Sequence, residues 1–396
     1  MDKLALAAVE IPSSLTRDVI ALRRDFHAHP ELGYEELRTA KIVAERLRDL
    51  GYDVRSQIGK TGVVGILRTE RPGKTVLLRA DMDALPLSEH SGVPFASLHP
   101  GKMHACGHDG HVAILLGAAE LIMQKREAVC GTIVLCFQPA EEGLAGAKAM
   151  IEDGLLENPR VDLVYGLHLW NLLESGTVAT KAGPMMASSD TIEVTVKGSG
   201  GHGSAPHQTV DPIVAAAHFV TSLQHVVSRS IDPLAPAVIT IGSIHGGTTH
   251  NVIPDDVTML GTVRTFSSDL RDAMAPKIER VLQGCCKAAG ADYDFKYVRR
   301  YPVTANDALQ AAYVRALAAK LFGEDRSLEL TPVMGAEDFS FLLLERPGCF
   351  FFIGAKPTAG EVHPHHSARF TIDERALETG VQMMVALALD APHSSL

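Results

Sequence analysis

The sequence predicts an α/β fold: an open mixed-sheet domain with helices on both faces, interrupted by an inserted ferredoxin-like α+β unit. Three observations carry this. Short, nearly continuous Val/Ile/Leu runs bounded by Gly and Pro (Gly62–Leu67, Thr75–Ala80, Thr132–Phe137 and Val161–Leu169) read as strands covered on both faces. Segments of helical periodicity alternate with them, as in an open α/β sheet. Between Pro184 and Arg299 the order changes to β-α-β-β-α-β, a self-sufficient unit.

From Arg17 to Asp49 apolar residues recur at helical spacing on either side of His27-Ala28-His29-Pro30, where proline disfavours helix at the preceding residue. Two helices flanking a loop are expected. Gly110–Lys125 and Gly143–Asp153 read as helices between the first four strands. The insertion then reads as strand Asp190–Lys197, helix Asp211–Arg229, strands Ala237–His245 and Asp256–Phe266, helix Ser268–Ala289 and strand Tyr293–Arg299. From Asp307 the chain returns to a helix, a loop, a strand at Cys349–Ile353 and a last helix from Asp373. The expected division is 1–184 and 301–396 for a discontinuous main domain and 185–300 for the insertion.

The chain of 396 residues, 46% hydrophobic and 21% charged, can bury a large core in two or three structural units, which favours an enzyme over a lone binding module. Its 37 Lys and Arg against 47 Asp and Glu leave a net charge of -10 with no basic run, so nucleic acid is not an expected partner. Met1 to Leu15 carries Asp2, Lys3 and Glu10 and lacks a basic start followed by an unbroken apolar stretch, so neither a signal peptide nor a membrane span is expected. Six cysteines without regular spacing fit reduced thiols in a cytoplasm.

Four strands end in residues able to bind metal. Thr75–Ala80 leads into Asp81-Met82-Asp83, Thr132–Phe137 into Gln138-Pro139-Ala140-Glu141-Glu142, Val161–Leu167 into His168, and Cys349–Ile353 into the loop with His363, His365 and His366. Ligands in open α/β sheets bind beyond the carboxyl ends of the strands, so these tips should meet in one crevice. The densest cluster is His104-Ala105-Cys106-Gly107-His108-Asp109-Gly110-His111, just before a helix, with thiolate and imidazole donors suited to zinc or manganese. A buried cysteine beside solvated histidines would explain the octapeptide alone, but not its convergence with Glu142 and His168. A structural zinc site would close its shell with four Cys or His ligands, whereas carboxylates here point to an open position and hydrolysis. Adjacent Glu141 and Glu142 then divide the work, one ligating and one moving a proton.

Arg79-Ala80-Asp81-Met82-Asp83-Ala84-Leu85-Pro86, His104 to Asp109, Gln138 to Gly143, Gly201-His202-Gly203-Ser204-Ala205-Pro206-His207 and Gly335-Ala336-Glu337-Asp338-Phe339 together resemble the M20 metallopeptidase-like amidohydrolases. The likeness runs from about His27 to His366 and is greatest to the branch of hippurate hydrolases, N-acyl-amino-acid amidohydrolases and auxin-conjugate hydrolases. It implies a cytoplasmic metal-dependent hydrolase of N-acyl-amino acids, or alternatively a dipeptidase or carboxypeptidase, that forms a homodimer or higher oligomer through the inserted lid. The resemblance makes Cys106, His108, Glu142, His168 and His366 ligands of two divalent ions per subunit, Mn2+ or Zn2+, with Ni2+ or Co2+ admissible. Cys106 would bridge the ions, Glu141 would be the general base and acid, and Asp83 would orient a ligand histidine. In the lid, His202, with His207 as rival, and Asn251 would polarise the scissile carbonyl, His202 from a partner subunit, and Arg264 would hold the substrate carboxylate. The wider superfamily opens its site with His-x-Asp and bridges its metals with aspartate; Asp81 and Cys106 stand at those places here, as in the narrower branch.

Overall fold

A computed structural model describes residues 10–393. Helices α1 (Ser13–Ala28) and α2 (Leu37–Leu50) lead into β1 (Asp53–Ile58), β2 (Gly62–Arg68) and β3 (Thr75–Asp81). Then come α3 (His108–Gln124), β4 (Thr132–Gln138), the kinked turn α4 (Glu141–Leu144), α5 (Gly146–Glu152), β5 (Leu163–Trp170), β6 (Val178–Thr180) and β7 (Gly183–Met186). The middle of the chain forms β8 (Ser189–Lys197), β9 (Gly201–His202), α6 (Pro212–Ser230), β10 (Ala237–His245), β11 (Val252–Ile253), β12 (Asp256–Thr265), α7 (Ser268–Ala289) and β13 (Asp292–Tyr301). It returns through β14 (Thr304–Asn306), α8 (Ala308–Phe322), β15 (Ser327–Glu329), α9 (Ser340–Glu345), β16 (Gly348–Gly354) and α10 (Ala376–Asp390). No helix among the described residues is long and apolar enough to cross a membrane.

The larger unit comprises the described residues of Met1–Gly183, Ala305–Thr331 and Asp338–Leu396. Its eight-stranded mixed sheet has the order β1-β2-β4-β3-β5-β16-β6-β15. The four strands whose tips carry candidate donors, β4, β3, β5 and β16, are neighbours and mutually parallel, so their carboxyl ends share one edge. Their apolar runs follow from burial on both faces: β3, β4, β5 and β16 are almost wholly inaccessible. Helix α3 is buried nearly all round, which explains its lack of a polar face. It packs against α1 and α10 at two glycines. A Cβ at Gly117 would lie 2.5 Å from Val19 Cγ2, and one at Gly380 2.5 Å from Ile114 Cδ1.

The smaller unit comprises Pro184–Thr304 with Pro332–Glu337, so the latter segment, assigned by sequence to the main domain, groups with the insertion instead. Its sheet order is β10-β12-β8-β13, antiparallel throughout, the arrangement of a β-α-β-β-α-β unit. Both helices start at sequence-legible caps: Asp211 accepts from Ile213 N and Val214 N ahead of Pro212, and Ser267 accepts from Leu270 N.

Two expectations shift. The first helix runs through His27 and Ala28, because Pro30 restricts only His29, which leaves the helical region at φ -127° and ψ 59°. The last helix begins at Ala376 rather than Asp373.

Candidate metal centre

The floor of the site is a buried charge network at the end of β3. Arg79, fully inaccessible, donates from Nη1 to Asp81 Oδ2 (2.6 Å), from Nη2 to Asp338 Oδ1 (3.0 Å) and from Nε to Gln138 Oε1 (2.8 Å). Gln138 Nε2 and Ala147 N also donate to Asp338. Burial opposes ionisation of Asp81, but Arg79, with His108 and His111, holds its carboxyl well below the usual range. His111 Nδ1 donates to Asp81 Oδ1 (2.6 Å), while His111 Nε2 accepts from Leu169 N (2.9 Å). Both ring nitrogens of His111 are thereby engaged, tying α3 to β5 beside His168. Asp81, His108 and His111 offer donor atoms within 4.8 Å of one another, yet His111 could ligate only by giving up one of these bonds.

Above this floor three donor groups overlap: Cys106 with His108 and His168, Cys106 with Glu142 and His366, and His108 with Glu141 and Glu142, each within 4.8 Å. The five residues that sequence marked as ligands, and Glu141, thus fall in one chain of contacts at the shared sheet edge. His168 Nδ1 donates to Leu169 O (2.8 Å), which leaves Nε2 as a lone pair 3.4 Å from Cys106 Sγ. Burial and the neighbouring His111 and His365 hold the His168 ring neutral. His366 takes a left-handed conformation (φ 66°), donates its N–H to Ala105 O (2.8 Å) and brings Nε2 to 3.1 Å from Glu142 Oε1. The other two histidines of that loop are turned elsewhere. His365 stacks on Trp170 with its Nε2 on Leu169 O (2.9 Å), and His363 lies 4.0 Å from Glu361.

Asp83 organises the donors. Its Oδ1 accepts from Glu141 N and its Oδ2 from Glu142 N, both at 2.9 Å, and Oδ1 lies 3.4 Å from His108 Nδ1.

The donor set fits a bound cation. Among the described residues neither ring nitrogen of buried His108 has a hydrogen-bond partner of good geometry. Burial works against charge on that ring, but Asp81, Asp83 and Glu142 outweigh it and push its value up to about 10. Burial, with the carboxylates of Glu142, Glu141 and Asp81, pushes the Cys106 thiol up. The pocket is therefore short of positive charge, which a divalent ion on thiolate, imidazole and carboxylate donors would supply.

The remaining candidates lie in the smaller unit. His202, on β9, pairs with Val252 of β11, and Gly203 N donates to Asn251 O (2.8 Å). Ser204 N donates to His202 Nδ1 (3.1 Å), so Nε2 carries the proton and His202 offers an exposed donor. His207 sits exposed in a short turn, Pro206–Gln208. Arg264 is partly buried on β12, where burial works against its charge and Asp190 favours it.

Sequence reasoning placed His111 in the donor octapeptide without giving it a role, and it missed the Arg79–Asp338 pair. The signal for His111 was its place three residues after His108 on one helix face. Asp338 stands 259 residues from Arg79, beyond any local pattern.

The model of peptidase family M20/M25/M40 matches residues 77–390. The chain is 44% identical over 376 residues to "Thermostable carboxypeptidase 2" of Saccharolobus solfataricus, covering 94% of each. It is 47% identical over 281 residues, 71% of this chain and 75% of the other, to "N-acyl-L-amino acid amidohydrolase" of Geobacillus stearothermophilus. Among solved structures, the Bacillus subtilis YXEP protein, described as a dinuclear metal-binding peptidase, superposes with a TM-score of 0.83 at 35% identity over 96% of this chain and 99% of that one. A match across most of the chain, joined to a buried donor cluster at the strand tips, makes this chain a member of peptidase family M20/M25/M40 and a metal-dependent hydrolase of amide bonds.

Proposed function

We propose that the protein hydrolyses N-acyl-amino acids to a carboxylic acid and a free amino acid, with Cys106, His108, Glu142, His168 and His366 holding two divalent ions, Mn2+ or Zn2+. The observation that carries this reading is the joining of those donors to a buried second carboxylate, Glu141, inside one 4.8 Å group with His108 and Glu142. When bound, the ions supply Lewis acidity, polarising the amide carbonyl and lowering the pKa of water towards about 7. Glu141 accepts a proton from the attacking water and returns it to the nitrogen as the C–N bond breaks, so that the amine leaves neutral. Asp83 keeps Glu141 and Glu142 in separate roles by fixing both of their backbone N–H groups. His202, through Nε2–H, and Asn251 polarise the carbonyl, and Arg264 holds the substrate carboxylate.

A carboxypeptidase or dipeptidase is the second reading, favoured by the 44% identity to a protein of that name. Metal-loaded protein assayed against N-acetyl-amino acids, N-benzoylglycine and a dipeptide panel separates the two. Preference for the acylated substrates is expected; preference for dipeptides with a free amine would replace the first reading by the second.

If His202 acts from a partner subunit, the inactive variants Glu141→Gln and His202→Ala should complement when mixed. Each heterodimer then carries one whole site and recovers up to about half the wild-type activity. No recovery after verified subunit exchange would place His202 within its own chain's site or transfer its role to His207.

A further inference from the structure

Glu141 and Glu142 sit on a turn that the backbone does not adopt unaided. Ala140, Gly143 and Ala145 have φ of 55°, 83° and 58°, and two of these are left-handed conformations at residues with a Cβ. Such a turn persists only when its surroundings fix it. Three successive N–H groups at its start point into carboxylates. Two of them, from Glu141 and Glu142, go to Asp83, and the third, from Ala140, donates to Glu36 Oε1 at 2.8 Å.

Glu36 is fully inaccessible and lies just ahead of α2; its Oε2 accepts from Thr61 Oγ1 at 2.5 Å. Its neighbours clasp the same turn. A Cβ at Gly33 would lie 3.1 Å from Ala140 Cα, and Tyr34 Oη donates to Leu144 O at 3.2 Å. A buried carboxylate is a costly way to accept one backbone N–H unless that N–H must be held. Burial pushes the Glu36 carboxyl up to about 7. The contact to Ala140 survives either protonation state, because a proton on Oε2 can be donated to Thr61.

We propose that Glu36 is a positioning residue for amide cleavage: by holding the Ala140 N–H it fixes the left-handed turn that aims the Glu141 and Glu142 carboxylates. The inference rests on the roles given to those two residues under the proposed function.

The test uses full-length, metal-loaded Glu36→Ala, Glu36→Gln and Glu36→Asp, assayed on whichever substrate of the panel above the wild type cleaves fastest. Metal content and amide hydrogen exchange across residues 138–147 are measured beside the kinetics. In Glu36→Ala, kcat should fall roughly 10–100-fold, the scale of a misaligned reacting group, with KM changed by less than about threefold. Exchange at the turn should rise by about tenfold or more, while the strands of the sheet stay protected. Glutamine keeps an acceptor for Ala140 and a donor for Thr61, so Glu36→Gln should restore kcat to within about threefold of wild type. Aspartate keeps the charge but withdraws it by one methylene, so Glu36→Asp should be the slower of the two.

Wild-type kcat in Glu36→Ala would overturn the proposal. So would an active Asp variant beside a dead Gln variant, which would assign the role to charge. That Asp–Gln comparison decides the matter even if the Ala variant fails to fold. Failure of the proposed function reads differently: Glu141→Gln would then keep its turnover while exchange at the turn in Glu36→Ala still rises.

Discussion

Glu141→Gln is expected to lower kcat by roughly 10²–10⁴-fold, the range for loss of a general acid or base, while metal content and unfolding temperature stay at wild-type values. The amide has nearly the size of the carboxylate it replaces but cannot accept the proton of the attacking water. The backbone that carries it is fixed independently of the side chain, because Asp83 holds the N–H groups of residues 141 and 142 and Glu36 that of residue 140. The five proposed ligands are untouched. Steady-state kinetics with elemental analysis of the same preparation check the expectation, and wild-type turnover in a metal-replete variant would remove Glu141 from the role of base.

The part of this site that was legible in the sequence is the part written locally. β3, β4, β5 and β16 announce themselves as apolar runs because both of their faces are covered. The donors stand immediately after three of those runs, in the loop after the fourth and in one octapeptide, so a rule about strand tips gathers them. β1 was not legible: it lies at the sheet edge with no buried residue in its sequence, Asp-Val-Arg-Ser-Gln-Ile, and gains its strand character from pairing with β2. The short strands β6 and β15, three residues each, carry too little pattern to read.

Within the site, what escaped was support rather than donors. Arg79 reads as one charge inside an apolar strand, and only the fold shows it bridging Asp81 and Asp338. The left-handed Ala140 has no sequence signal, since alanine is not among the residues (Gly, Asn, Asp) that visit that region readily. Among the three clustered histidines 363, 365 and 366, spacing is mute. Packing separates them, by the stacking of His365 on Trp170 and the approach of His366 to Glu142.

Loss of ligands should be as severe as loss of the base, with a different signature. His168→Ala removes a lone pair that faces Cys106, and Glu142→Ala removes the carboxylate between Cys106, His108 and His366. Because His168 and Glu142 each supply a donor to the proposed ions, both variants should purify with markedly less divalent metal and with activity at least roughly 10²-fold lower, metal affinity itself falling as the shell opens. The central claim, that this donor cluster holds the ions on which amide hydrolysis depends, is tested most directly by stripping the wild type and both variants with a chelator. Mn2+ or Zn2+ is then titrated back while bound metal and hydrolysis are followed together. The stripped wild type should be inactive and should regain full activity as about two ions bind per chain, with neither variant recovering at that stoichiometry. Hydrolysis by metal-free wild type, or full metal retention with wild-type recovery in both variants, would contradict it.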